Sequence, residues 1–510
     1  MQIAPKDCLR HAVLFTLVLF SGGVLAEREW RIEPSLGFRA EAHNRSGVNV
    51  SDGFLTELTP SIALRYRIAE TSASLSYTPR LIFTDLSDPR STIVHALSSQ
   101  ASTQLASGRI TLGAQAAVGE QSLDPLSTYS VSSIPNSNRA RFYNLGVNAA
   151  MRENLAPGLF GEVRADYTHS GAREVSGAAT SLLNNNATSR WRVAGDIKPT
   201  SRNPEFGWFS GAEYSARQDE SQATRNAYRG YIGALWNPTT QLNHEFRLGY
   251  EQREFVAQTD ENRGVYGEAS VQWRPSPLTE VRASLGKHYF GTTGQLAGRI
   301  RGNRAAFEFS LGRQLVNSQE SAFFPQTDSP LALLDRFLTG TISDATARSQ
   351  EVTRLANVFG LPAQIDNARY FYVDRFVLEQ SARFSGLYTL PRISFNAAVS
   401  YRKTNPGKSQ LESISLQSVV PLTELQANAG AAYRLAERST IRLDMQGSRS
   451  ERQDSSEKRN RFRTQATFSQ IWTKAISTGA TVFYERESGE TKLNDFTDRG
   501  ISVFARYAFN

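Results

Sequence analysis

Along most of the chain hydrophobic and polar residues alternate one for one, the period of a β-strand whose two faces meet different surroundings. The last ten residues show it most plainly. Ile501, Val503, Ala505, Tyr507 and Phe509 fall on one face, and Ser502, Phe504, Arg506 and Ala508 on the other. Val163, Ala165 and Tyr167 oppose Glu162, Arg164 and Asp166 in the same way, and Phe246, Leu248 and Tyr250 oppose Glu245, Arg247, Gly249 and Glu251. The pattern predicts strands throughout, with apolar residues on one face and charged or small residues on the other.

Connections between these strands alternate in length. Tight ones are expected at Asn237-Pro238-Thr239-Thr240, Pro275-Ser276-Pro277-Leu278-Thr279 and Ala436-Glu437-Arg438-Ser439. Longer polar segments lie near residues 43–54, 120–139, 170–188, 255–263, 450–460 and 487–498. One short rim and one long rim are the habit of transmembrane barrels in outer membranes. The fold class expected is therefore all-β: a single antiparallel transmembrane β-barrel of about 20 strands (18–22), each with about 9–11 residues in the membrane. Trp208, Trp236, Trp273 and Trp472 all fall close to short turns, where an amphipathic ring anchors at a membrane interface.

One stretch breaks the period. From Gln319 to Arg369, Leu331, Leu333, Leu334, Phe337 and Leu338, then Val352, Leu355, Ala356, Val358 and Phe359, recur at three- and four-residue spacing. Gly340 and Gly360-Leu361-Pro362 read as helix stops. The segment 319–369 is expected to be a partly helical insertion within the barrel, either a plug or constriction in the lumen or a structure at one rim.

Composition agrees with a barrel. The 510 residues include 28 Phe, 18 Tyr and 6 Trp, yet mean hydropathy is −0.40, because only alternate strand residues would meet lipid. Lys6 and Arg10 precede an apolar run from Ala12 to Phe20 and the small-residue end Val24-Leu25-Ala26, the arrangement of a secretory signal peptide over residues 1–26. The mature barrel would occupy 27–510 and contain no cysteine, since Cys8 leaves with the leader. Stability without disulfides is then left to the closed strand ladder. Losing Lys6, Asp7 and Arg10 lowers the net charge of +8 by one, and the remaining excess is spread along strands rather than gathered into runs, which points away from nucleic acid.

Candidate chemistry is sparse. His43, His95, His169, His244 and His288 are isolated in sequence with no second ligand at metal-binding spacing, so neither metal nor cofactor is expected. Gly407-Lys408-Ser409 imitates the end of a phosphate loop, but Arg402 stands where its first glycine belongs. Asp166, His169 and Ser170 lie close together, yet His169 and Ser170 would point to opposite faces of a strand. No catalytic residues are assigned and an enzyme is not expected. The informative residues are those on the polar register. Arg164, Arg192, Arg229, Arg247, Arg274, Arg282, Arg304, Arg392, Arg402, Arg434, Arg442 and Arg463 are expected to face the lumen with carboxylates beside them, because a midplane Arg against lipid costs about 2–4 kcal/mol. Most should pair across strands, and the residual excess would give a modest preference for anions.

Trp30-Arg31-Ile32-Glu33-Pro34-Ser35-Leu36, Glu57-Leu58-Thr59-Pro60-Ser61-Ile62 and Gly286-Lys287-His288-Tyr289-Phe290-Gly291 occur in that order over the mature chain. In them the sequence resembles the outer-membrane β-barrel family associated with the exosortase and PEP-CTERM sorting system and with exopolysaccharide loci of Gram-negative bacteria. The resemblance implies a porin-like protein of the outer membrane, with lipid, the barrel-assembly machinery and exopolysaccharide export components as partners. It carries no catalytic residues. Two functions stay open: a passive channel for polar or anionic solutes or glycans, and a non-conducting scaffold for surface polysaccharide or protein assembly. A TonB-dependent receptor is a third, less favoured because the stretch ahead of the first strand near Ile32 is too short for a plug. Barrels of this kind usually end on an aromatic residue; here Phe509 is followed by Asn510, with Ile501, Val503, Tyr507 and Phe509 forming the outward face of the closing strand.

Overall fold

In the computed structural model the described residues are 29–47, 52–85, 90–122, 139–174, 187–200, 205–219, 224–254, 263–317, 348, 352, 376–406, 422–452, 458–489 and 495–509. Nearly all of them are in strands. In chain order these are β1 (Glu29–Gly47), β2 (Gly53–Ile68), β3 (Thr71–Tyr77), β4 (Arg80–Thr84), β5 (Arg90–Val94), β6 (Leu97–Leu105), β7 (Ile110–Ser122) and β8 (Arg139–Ala156). They continue with β9 (Leu159–Glu174), β10 (Thr188–Pro199), β11 (Phe206–Asp219), β12 (Arg225–Thr239), β13 (Leu242–Arg253), β14 (Arg263–Ser276), β15 (Thr279–His288) and β16 (Gly291–Arg301). The last eight are β17 (Ala305–Asn317), β18 (Phe376–Thr389), β19 (Ile393–Pro406), β20 (Leu422–Ala436), β21 (Ser439–Arg452), β22 (Lys458–Ile471), β23 (Ile476–Gly489) and β24 (Phe496–Ala508).

Every ladder is antiparallel, and β1 pairs with β24 from Ser35↔Ala508 to Gly47↔Phe496, so the sheet closes on itself. The barrel has 22 staves, the top of the range expected from the sequence. Two staves are each broken in half. The lower part of β2 pairs with β3 and its upper part with β4, while β6 and β5 continue the ladder at the same two levels. The break falls at Thr78-Pro79, where the missing proline N–H removes a ladder donor. It is bridged by Thr78 N–H donating to the Ala96 carbonyl at 2.8 Å and by a 2.8 Å hydrogen bond between Tyr77 Oη and His95 Nδ1.

The two rims differ. Both ends of the described chain lie at the rim where β2–β3, β12–β13, β14–β15 and β20–β21 are joined by two residues each; the three tight turns read from the sequence are all there. At the other rim the connections are longer, apart from the Tyr289-Phe290 turn between β15 and β16, where Gly291 takes φ 133°. Asn317 pairs with Phe376, so the 319–369 insertion joins its strands at this long-loop rim. Its predicted helices lie outside the described residues, except that Arg348 and Val352 are helical. The leader, with Cys8, lies outside them as well.

Side chains are distributed inside out. The exposed large residues are apolar, including Ile32 at 59%, Ile232 at 60% and Val265 at 67%, whereas Glu251, Glu485 and Asp498 are among the most buried. A soluble protein does the reverse, and an apolar girdle of this extent exceeds by far the patches that water-facing surfaces tolerate. From a 4.7 Å strand spacing and a tilt near 40°, 22 staves enclose a bore on the order of 40 Å between opposite backbones.

The closing strand is secured to the short rim. Tyr507 and Phe509 meet edge to face with centroids 4.7 Å apart, and the Phe509 N–H donates to the Pro34 carbonyl at 3.0 Å. Ile501, Val503, Tyr507 and Phe509 all face outward. Deleting Tyr507–Asn510 removes both the aromatic pair and the last rungs to Ser35 and Leu36, so the truncated protein should lose heat-modifiable migration on gels. A barrel that still migrates in two heat-dependent forms would show that closure does not depend on this end.

Candidate functional site

Among the described residues charged groups gather on the interior wall, as strand alternation requires. Every residue beside an outward apolar one points in. Arg164, Arg192, Arg229, Arg247, Arg274, Arg282, Arg402, Arg434, Arg442 and Arg463 lie on this inner register, as the sequence requires. Arg304 and Arg392 do not: they sit exposed in the short turns before β17 and β19, where there is no alternation to assign them a face. Outside, Trp208, Trp236, Trp273 and Trp472 line the short-turn rim together with Trp30, while Trp191 stands near the opposite rim against Tyr167 at 4.4 Å.

Pairing dominates the wall. Arg192 meets Glu213 at 2.9 Å, Arg402 Nε donates to Glu424 at 2.8 Å, and Arg442 holds Asp444 at 2.5 Å on the same strand face two residues on. Glu280 gathers Arg282 at 2.6 Å, Arg299 at 2.5 Å and Arg274 at 3.6 Å near the short rim. Arg434 is spent at the rim on the Pro391 carbonyl. The cross-strand pairs, Arg192–Glu213, Arg402–Glu424 and Arg299–Glu280, stiffen neighbouring staves, while Arg442–Asp444 and Arg282–Glu280 pair within one strand.

The densest network straddles the closure seam. His43 on β1 has Nδ1 3.0 Å from Asp498 on β24 and Nε2 3.2 Å from Glu41; Arg45 donates from Nε to the same Asp498 at 3.1 Å, and Arg39 bonds Glu41. On β22 and β23 beside it, Arg461 meets Glu485 at 2.8 Å and Arg459 meets Glu487 at 2.9 Å. Glu485, Glu487 and Asp498 are each 2% exposed or less. His43 and Asp498 stand 455 residues apart in sequence, so only closure brings them together. In sequence His43 is isolated; in the barrel it is enclosed by two carboxylates.

A second feature runs up the wall from β11 to β16, and it departs from the sequence expectation that only charged and small residues face in. Phe209, Tyr231 and Tyr266 point inward, because each neighbours an outward residue: Trp208, Ile232 and Val265. Arg247 lies over Tyr231 at 4.6 Å and Phe209 at 5.6 Å, and Arg229 over Tyr266 at 4.4 Å. His288 continues the column, stacked on Tyr266 at 5.2 Å and on Phe290 at 4.8 Å, with Nδ1 2.7 Å from buried Glu251. The inward rings rest on glycines: a Cβ at Gly249 would meet Tyr266 at 2.6 Å, and one at Gly211 would meet Tyr231 Oη and Asp196 at 2.5 Å. An inward aromatic facing a glycine on the next strand is the sequence signal that alternation alone overlooks. In the turn above the column, burial pushes the Tyr289 hydroxyl up to about 12.

Among the described residues no group of three or more His, Cys, Asp or Glu is placed to hold a metal. Asp166 and His169 face opposite sides of β9, and His169 bonds Ser189 at 3.0 Å. Gly407-Lys408-Ser409 lies outside the described residues.

No family model and no curated protein matches the sequence. Solved structures do share the fold. The siderophore receptor PirA from Acinetobacter baumannii aligns with a TM-score of 0.50 at 9% identity over 96% of this chain and 81% of its own. The FrpB iron transporter from Neisseria meningitidis aligns with a TM-score of 0.50 at 10% identity over 93% of this chain and 82% of its own. At such identities the likeness is one of barrel architecture.

Proposed function

We propose that the protein is an outer-membrane conduit for bulky polar solutes or glycans, working beside exopolysaccharide export or exosortase-linked surface assembly. The observation that carries this reading is the combination of a lipid-fitting exterior with a very wide, charge-paired interior. Small solutes need only the narrower bore of 16–18 staves; at 22 a barrel encloses more space than an ion requires and is ordinarily plugged. An iron transporter with the same fold makes cargo passage a use to which such a barrel can be put. The tie to exopolysaccharide and protein sorting comes from the sequence resemblance, which also supports barrel-assembly and export components as partners.

A scaffold reading has its own observation. Leu55, Ile82 and Val94 point into the barrel from β2, β4 and β5 and form an apolar cluster 0%, 0% and 5% exposed, which suits a covered wall better than one lining an aqueous passage. Planar-bilayer recordings separate the two. Removing 319–369 leaves the Asn317↔Phe376 end of its hairpin in place, so the shortened protein should still fold. The conduit reading expects large conductance, at least in that variant, with only modest anion preference because most arginines are paired. Absence of conductance in both proteins would favour the scaffold, and clear cation selectivity would remove the anion preference.

A further inference from the structure

We propose that the inner wall across β7–β12 carries a binding subsite for an uncharged, hydroxyl-rich glycan segment; this rests on the conduit reading and names where its cargo is held. A cavity of about 430 Å³ opens there into the bore, in the half nearer the short-turn rim. Its size is within the range of roughly 300–1,000 Å³ in which small ligands are held.

Its chemistry selects against ions. Arg152, Arg164 and Arg192 face Glu162, Asp166, Asp196 and Glu213 around the cavity, three cations against four carboxylates. A near-balanced set draws neither an anion nor a cation by net charge. What it does offer is closely alternating donors and acceptors, fixed across adjacent strands, which is what vicinal hydroxyls need: a guanidinium edge donates to two oxygens at once, and a carboxylate accepts from two. Glu162, 5% exposed, is the fixed element, holding Arg152 at 2.8 Å and also Arg164. The arginines themselves are open to the bore, with side chains 62%, 51% and 44% exposed for Arg152, Arg164 and Arg192. The Arg192–Glu213 pair, exposed on both sides at 44% and 27%, is of the kind worth about 0–1 kcal/mol. Arg192 can therefore turn from its carboxylate to a sugar hydroxyl at little loss, whereas Arg152 and Arg164 stay on buried Glu162 and offer only their remaining N–H groups.

The cavity also has an apolar edge. Tyr231 reaches across Gly211 of β11 to bond Asp196 on β10, which fixes its ring at the boundary of the site. Next to it on the wall lies Phe209 at 6.1 Å. A pyranose has polar edges and apolar C–H faces, so a ring beside a polar pocket matches both parts.

The test uses full-length protein in detergent, with cellohexaose and maltohexaose as neutral probes and hexameric polygalacturonate as the anionic one, by calorimetry. At least one neutral hexamer should bind, more tightly than the anionic one. In the variant Arg192→Ala/Glu213→Ala, which removes both partners of an exposed pair, binding should weaken about tenfold or more. Heat-modifiable migration establishes that this variant is folded; Arg152→Gln, should the double variant misfold, is expected to weaken binding in the same direction. Failure of both neutral hexamers to bind, tighter binding of the anionic hexamer, or unchanged affinity in folded variants would overturn the subsite. Bilayer recordings on the full-length protein and on the protein lacking 319–369 keep the two readings apart. An open current that neither neutral hexamer reduces overturns the subsite and leaves the conduit, whereas binding lost in the variant with no conductance from either protein supports the subsite and removes the conduit.

Discussion

Replacing Asp498 with alanine should lower the unfolding free energy of the barrel by about 3–5 kcal/mol, the usual effect of removing one partner from a buried ion pair. Asp498 is 1% exposed and is the shared acceptor for His43 and Arg45, both of which are buried on the neighbouring strand. Without it Arg45 loses its carboxylate in a place water does not reach, and His43 keeps only Glu41. The loss falls on the β1–β24 seam, the ladder that distinguishes a closed barrel from an open sheet. Asp498→Asn keeps an acceptor of the same shape and should cost distinctly less. Urea unfolding of the refolded protein in detergent or lipid vesicles reads both values. A change below about 1 kcal/mol for the alanine variant, the range of an exposed pair, would mean that the seam network is solvated and contributes little to closure.

That network marks the limit of what the sequence discloses. Strand identity, the inner and outer registers and the short turns follow from local alternation, because each strand residue is sorted by its own two neighbours. Arg164, Arg192 and Arg247 were legible for this reason, and Arg304 and Arg392 were not, since a turn has no faces. Pairing between strands depends on register across the sheet, and closure depends on the first strand finding the last. His43 and Asp498 are therefore invisible to each other in sequence. The inward aromatics divide. Tyr266 falls on the polar side of its strand's alternation and was legible as inward, whereas Phe209 is apolar enough to look like a lipid-facing residue; only the glycine each one covers explains how a large ring fits against the inner wall. Two staves are split near Pro79 and at His95-Ala96, so one pair of long strands is written along the chain as four short pieces and 24 strand segments make 22 staves.

Leu248→Arg should be the most damaging substitution on the outer face. Leu248 is mid-strand on β13, points away from the bore and is 59% exposed. If that exposure is to hydrocarbon, an arginine there meets the bilayer near its midplane, and the expected loss is about 2–4 kcal/mol. The matched control is Ser284→Arg on β15, which lies in the middle of its strand beside outward Leu285 and faces the bore. A long cation there can extend into the lumen, so that change should be near neutral, within about 0.5 kcal/mol. The contrast matters more than either value, since both variants add the same side chain at comparable strand depth. In water-filled surroundings on both faces the two should be equally mild. Unfolding in lipid vesicles that separates Leu248→Arg from Ser284→Arg by 2 kcal/mol or more fixes which face meets lipid, and with it the position of every charged pair assigned to the bore. Equal, small effects would place the apolar girdle against something other than a membrane and remove the basis for a conduit.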